Sequence, residues 1–221
     1  MAYHRIPVPE FAVFRRGRRI QRPRRLEFPL FVKSLNEEAS LGIAQASLVE
    51  DEERLVERVK FIHKRIGTDA IAERYIDGRE LYVGVIGNHK LEVLPIWELL
   101  FTRMPEDAPR IATAKVKWDY KYQEKWGIRS EAARDLPPGL EVEIPRIARR
   151  IYRCLDLSGY ARIDFRLTPE GQLYVLEANP NPQLAYGEDF AESAQAAGVG
   201  YPELLQRIVN LGLRRATQPV A

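Results

Sequence analysis

Two short segments in the last third of the chain carry charge where a strand would otherwise bury apolar side chains. In Ala161-Arg162-Ile163-Asp164-Phe165 apolar and charged residues alternate, so a strand there places Arg162 and Asp164 on one face. The same period puts Glu177 and Asn179 together in Glu177-Ala178-Asn179. Pairing the two strands across a four-residue loop at 169–172 sets Asp164 opposite Glu177. Two carboxylates and an amide oxygen brought that close repel one another unless a cation sits between them. An all-oxygen set suits Mg²⁺, which keeps open positions for phosphate oxygens and water. Arg162 adds a fixed donor fork for an oxyanion. On these residues alone the alternative is a solvated acidic face balanced by Arg162 and Arg166.

A second candidate lies upstream. Lys33 ends an apolar strand, and the loop after it reaches Ser40-Leu41-Gly42. A lysine at a strand end beside a serine and glycine loop can reach phosphate with its ammonium while backbone N–H groups bind the outer oxygens. The G-x-x-x-x-G-K-S/T pattern of a Walker A loop does not occur in the sequence. The alternative for Lys33 is a solvated strand terminus.

The elements that must position these residues follow from periodicity. Residues 11–14 and 27–33 are short apolar strands, and 34–47 is a polar loop leading to another strand. Residues 51–67 place Leu55, Val59, Ile62 and Ile66 on one helical face and end in glycine, with His63 half-exposed beside that face. Residues 70–96 predict three strands separated by an Asp-Gly and a Gly-Asn turn, an antiparallel meander. Residues 102–135 form a long polar stretch in which Trp118 and Trp126 are expected to anchor a loop to the core. Residues 141–157 carry Ile144, Ile147, Ile151 and Leu155 at helical spacing, and the only cysteine, Cys154, is expected as a buried thiol. A hairpin follows, then helices over 188–197 and 201–215. Segregated antiparallel strands and helices predict an α+β fold.

Composition sets the outer bounds. The 221 residues are 45% hydrophobic and 29% charged, as in a globular chain of one large domain or two small lobes. One cysteine excludes an intrachain disulfide framework and a multi-cysteine zinc site. No stretch matches a membrane-spanning helix, and the first residues do not read as a secretion signal, so the expected location is the cytoplasm. The net charge is +3, yet seven arginines fall between Arg15 and Arg25. Such a run can bind nucleic acid, but no aromatic side chain lies within it to stack on a base.

In this order the motifs resemble those of the ATP-grasp superfamily, and more closely the C-terminal ATP-binding and catalytic portion of the D-alanine–D-alanine ligase family. FVKSLNEEASLGI resembles the lysine strand and phosphate-covering loop, ERYIDGRE the adenine hinge, and ARIDFR with LEANPNP the metal site. The resemblance covers nearly the whole chain. It implies two α+β lobes, 1–76 and 77–221, with ATP held between them. It further implies that Lys33 contacts ATP phosphates under a loop containing Ser40 and Gly42, and that Glu73 accepts from the adenine amino group. The backbone of Arg74 and Ile76 would line the base, and Glu80 would hold the ribose hydroxyls. Lys117, with Lys115 as the competing assignment, would reach the γ-phosphate or the substrate carboxylate. Arg162 would stabilise developing negative charge, and Asp164, Glu177 and Asn179 would hold one or two Mg²⁺ ions, with Mn²⁺ as a substitute. The implied reaction passes the γ-phosphoryl of ATP to a carboxylate, after which an amine attacks the acyl phosphate.

Three departures qualify the resemblance. Glu38-Ala39-Ser40 stands where the family loop usually reads glycine-serine-serine. Gly187-Glu188-Asp189 stands where ligases joining two D-alanines carry a serine for the acceptor's carboxylate, and acidic groups there favour an amine or a cation. The family's N-terminal pre-grasp domain does not precede the lysine strand in this sequence, so a fragment, a split protein needing a partner chain and a late start are all expected alternatives. Two other functions remain open here: an ATP-binding module without catalysis, and a nucleic-acid-binding protein using the arginine run.

Overall fold

The computed structural model describes residues 4–37, 43–105 and 110–216. The fold is α+β, with two antiparallel sheets. Close packing groups the chain into two units. One takes Pro9–Asp77 and Phe101–Ile128; the other joins the residues up to Val8 with Gly78–Leu100 and the residues from Arg129 on. Two stretches therefore group across a contiguous division at 76/77. The first is tied down where Val175 N donates to Pro7 O at 2.9 Å, and the second closes on itself where Thr102 N donates to Gly127 O at 3.1 Å.

In the smaller unit, β1 (Phe11–Phe14), β2 (Leu30–Ser34), β3 (Leu48–Val49) and β4 (Ala70–Arg74) form a sheet of order β1-β4-β2-β3. One face carries Ala12, Phe14, Leu30, Val32, Ala70 and Ala72 and packs with Leu55, Val59 and Ile62 of the following helix. That helix, α1 (Glu52–Phe61), starts where Asp51 accepts from Arg54 N at 2.8 Å and has Glu52 and Glu53 in its first turn. Ile62–Ile66 continue it as a π turn, and Gly67 ends it at φ 85°, which suits glycine. His63 is half-buried, with Nε2 2.9 Å from Phe14 O.

In the larger unit, β5 (Arg79–Ile86), β6 (Glu92–Val93), β7 (Trp97–Phe101), β8 (Ile128–Ala132), β9 (Tyr160–Leu167) and β10 (Leu173–Asn179) form the second sheet, whose main order is β10-β9-β5-β7-β8. Leu81, Val83, Val85, Ala161, Ile163, Phe165 and Val175 pack against Leu140, Ile144, Ala148, Ile151 and Tyr152 of α4 (Leu140–Cys154). Each fully buried Ile or Phe contributes on the order of 1.5–3 kcal/mol. At one end of the opposite face, Ile86 and Leu94 meet Phe190, Ala194 and Leu204 of α5 (Asp189–Ala196) and α6 (Tyr201–Ala216). Gly84 permits that approach, since a Cβ there would lie 2.7 Å from Leu94 Cδ1 and 3.0 Å from Phe190 Cε2.

Several expectations are corrected. The meander over 70–96 does not form: β4 lies between β1 and β2, while β5 pairs with β6, β7 and β9. The Asp-Gly pair is the passage from one sheet to the other. Gly78 has φ 140°, and a Cβ on it would lie 2.1 Å from Leu167 O, so only glycine lets the chain enter β5 there. The polar stretch 102–135 contains two short helices, α2 (Ala114–Trp118) and α3 (Tyr120–Trp126), capped by Thr113 and Asp119. Trp118 is exposed, so it anchors nothing; Trp126 is half-buried, with Lys125 Nζ 4.6 Å from its ring. Leu155 falls beyond the end of α4 and is exposed, and Cys154 is only partly buried. Among the described residues no helix is long and apolar enough to cross a membrane.

Candidate active site

The β9–β10 hairpin has the expected pairing at its functional end: Glu177 lies opposite Asp164 and Asn179 opposite Arg162. Nearer the turn, Val175 pairs with Phe165, and a shift between Val175 and Glu177 inserts Leu176 as a bulge. Without that extra residue Glu177 would fall on the apolar side. β5 extends the polar face, because Glu80, Tyr82 and Gly84 lie opposite Arg166, Asp164 and Arg162, and β7 adds Trp97 opposite Tyr82. One row, Trp97, Tyr82, Asp164 and Glu177, thus crosses four strands.

Charge on this face is closely paired. Arg162 donates to both oxygens of Asp164, from Nε at 2.7 Å and Nη2 at 2.8 Å, and its Nη1 lies 3.8 Å from Asp189 Oδ2 at the start of α5. The guanidinium carbon sits 4.4 Å from the centre of the Tyr82 ring. Burial alone would lower the Arg162 pKa, but Asp164, Tyr82 and Asp189 hold it above the ordinary arginine value. Tyr82 donates to Glu80 Oε1 at 2.8 Å, and Arg166 Nη2 donates to Glu80 Oε2 at 2.8 Å. Burial, with help from the Glu80 charge, raises the Tyr82 phenol well above its usual range, so it stays a donor. Burial and the neighbouring Asp189 also raise the Glu188 carboxyl.

Asp164 is buried, Glu177 exposed and Asn179 between the two, with Asn179 Oδ1 accepting from Asn181 N at 2.9 Å. This hard-oxygen set, a facing pair of carboxylates with Asn179 two residues along β10, fits a divalent cation in donor chemistry, although Asp164 also holds Arg162. Among the described residues no group of three or more His, Cys, Asp or Glu side chains forms a ready metal cluster, so a cation here needs Asn179, water or phosphate oxygen to complete its shell.

In the smaller unit, the open face of the four-stranded sheet carries Phe11 and Val13 from β1, Ile71 and Glu73 from β4, and Phe31 and Lys33 from β2. Glu73 lies between Phe11 and Phe31 across the strands. Its Oε2 is 2.8 Å from Lys33 Nζ, one register step away. Arg74 N donates to Glu10 O at 2.8 Å, and Ile76 is buried. On α2, Lys115 is exposed and Lys117 half-buried. Ser40 and Gly42 lie outside the described residues. The sequence-predicted residues therefore gather as Lys33, Glu73, Arg74 and Ile76 in one unit and as Glu80, Arg162, Asp164, Glu177 and Asn179 in the other. Tyr82 and Asp189 were not expected at Arg162; the alternation of Glu80, Tyr82 and Gly84 in RELYVGVI is the signal that places Tyr82 there.

The family model described as D-ala D-ala ligase C-terminus matches residues 1–210. The chain belongs to this family. Its members include a D-alanine–D-alanine ligase of Desulforudis audaxviator, 30% identical over 97% of this chain and 66% of its own length. An uncharacterized protein of Sinorhizobium fredii, y4sG, is 33% identical over 95% of this chain and 59% of its own length. The chain thus spans less than two thirds of either relative. A solved D-alanine–D-alanine ligase of Bacillus anthracis superposes with a TM-score of 0.78 at 24% identity, over 96% of this chain and 64% of that one. The fold is that of the ATP-grasp ligases.

Proposed function

We propose that this chain is the catalytic portion of an ATP- and Mg²⁺-dependent carboxylate–amine ligase working through an acyl phosphate. The observation that carries the reading is the placement of Arg162, Asp164, Glu177 and Asn179 on one face of the β9–β10 hairpin, with Asp164 opposite Glu177. Phosphoryl transfer depends on alignment and charge neutralisation, which an arginine and a cation-binding oxygen set supply without a protein nucleophile. In this reading Asp164, Glu177 and Asn179 hold one or two Mg²⁺ ions, which would neutralise the transferring phosphoryl group. Arg162 then faces the charge that develops on the acyl phosphate. A Bacillus anthracis ligase of the same fold has been crystallised with ATP, which supports ATP as the nucleotide here.

The nucleotide roles fall to Lys33, Lys117 or Lys115, Ser40 and Gly42 at the phosphates, Glu80 at the ribose, and Glu73 with the backbone of Arg74 and Ile76 at the base. The half-exposed apolar face around Glu73 offers Phe11 and Phe31 as flat neighbours for a base. Glu188 and Asp189 stand where ligases joining two D-alanines carry a serine, and acidic side chains at that position favour an amine acceptor over one whose carboxylate must be held there.

The experiment is ADP release in panels of carboxylic acids and amines, with Asp164→Asn and Glu177→Gln alongside. The reading expects release that needs an acid, an amine and Mg²⁺, and that both substitutions abolish. Turnover unchanged in both variants would remove the metal assignment. ATP binding without release, whatever the acid and amine, would favour a non-catalytic nucleotide-binding module.

A further inference from the structure

We infer that Tyr82 is a positioning residue that holds Arg162 and Glu80 in their working orientations at once, a role that rests on the ligase reading above. Tyr82 occupies the centre of the polar face, opposite Asp164 on β9 and opposite Trp97 on β7. It is buried, and its two ends meet different partners. The ring face lies 4.4 Å from the guanidinium carbon of Arg162, and the hydroxyl donates to Glu80 Oε1 at 2.8 Å.

Arg162 is thereby fixed from three sides. Asp164 takes its Nε and Nη2 edge, Asp189 attracts Nη1, and the Tyr82 ring closes one face. Asp164 alone sets two hydrogen bonds in the guanidinium plane but leaves the plane free to tilt about them. A ring against its face removes that tilt, and a desolvated cation–π contact has the strength to do so. Glu80 is fixed from two sides, by the Tyr82 hydroxyl on Oε1 and by Arg166 on Oε2. A single side chain therefore spans the arginine assigned to the reacting group and the carboxylate assigned to the nucleotide. Its two contacts are chemically separable: phenylalanine keeps the ring and loses the hydroxyl, whereas leucine loses both.

The test compares Tyr82→Phe and Tyr82→Leu in the full chain. The first readout is the Arg162 Nε–H resonance, assigned by its loss in Arg162→Lys and requiring no substrate. Ring shielding should hold it upfield in the wild type and in Tyr82→Phe, and release it downfield in Tyr82→Leu. The second readout is kinetic. Tyr82→Phe should raise the KM for ATP roughly three- to tenfold with kcat nearly unchanged, because Glu80 loses one hydrogen bond. Tyr82→Leu should in addition lower kcat roughly three- to thirtyfold, the range expected for a lost cation–π contact. A Nε–H resonance that does not move in Tyr82→Leu overturns the proposal, and so do kinetics equal to wild type in both variants. A wild-type chain that releases no ADP with any acid and amine sinks the ligase reading instead, and the resonance then decides by itself whether Tyr82 orients Arg162.

Discussion

Each sheet packs one face on a helix, and on the opposite face the two treat charge differently. On the four-stranded sheet the ion pair of Lys33 with Glu73 sits among Phe11, Val13, Phe31 and Ile71, and both members are partly open to solvent. On the six-stranded sheet Arg162, Asp164, Arg166, Glu80 and Tyr82 interlock, and their side chains are nearly all buried. An apolar surface with one adaptable pair suits a flat group that is exchanged. A dense buried network suits groups whose orientation must not change while charge moves.

Substitutions can break this contrast. Arg162→Ala leaves Asp164 buried without its two charge-assisted bonds, and should cost on the order of 3–5 kcal/mol in urea unfolding. A cost below about 1 kcal/mol would mean that the network is not structural. Gly78→Ala comes next: with φ at 140° and Leu167 O in the path of a new Cβ, about 2–3 kcal/mol should be lost, and a neutral result would show that the passage between sheets can relax. Lys33→Ala should cost no more than about 1 kcal/mol, since the pair is partly exposed, while weakening ATP binding. Glu177→Gln should change stability by less than about 0.5 kcal/mol, because Glu177 is exposed, and still abolish Mg²⁺-dependent turnover. Loss of folding in that variant would assign Glu177 to the fold instead.

The sequence made the second sheet's site legible because strand alternation is a strong signal when arginine and aspartate interrupt apolar residues. Alternation and loop length set Glu177 of LEAN opposite Asp164 of ARIDFR, as the structure has it, although the bulge at Leu176 is not visible in the sequence. That bulge leaves no mark in composition, only in register. The false meander has the opposite cause. Asp77-Gly78 has the chemistry of a hairpin turn, yet Gly78 is required by the close approach of Leu167 O, a contact between residues far apart in sequence. The helices α2 and α3 were hidden because each is shorter than two or so turns of periodic pattern, although their caps, Thr113 and Asp119, were present to be read. A tyrosine in a strand ordinarily means packing, and only the register with Asp164 brings Tyr82 to Arg162.

The arginine run is a smaller lesson of the same kind. Arg16 donates to Gly67 O at 2.7 Å, and Arg22 bonds Glu52 at 2.6 Å and stacks on Phe28. Part of a run that looks like a polyanion patch therefore ties its own loop to α1 and its neighbours.

On the proposed reading the chain binds ATP together with a divalent metal, and calorimetric titration of ATP with and without Mg²⁺, with GTP as the control, measures that binding. The account predicts ATP binding strengthened by Mg²⁺, weaker GTP binding, and a Glu73→Ala variant that loses ATP affinity but keeps its Mg²⁺ dependence. A folded chain that binds neither nucleotide, or binds both equally and without regard to Mg²⁺, would contradict it.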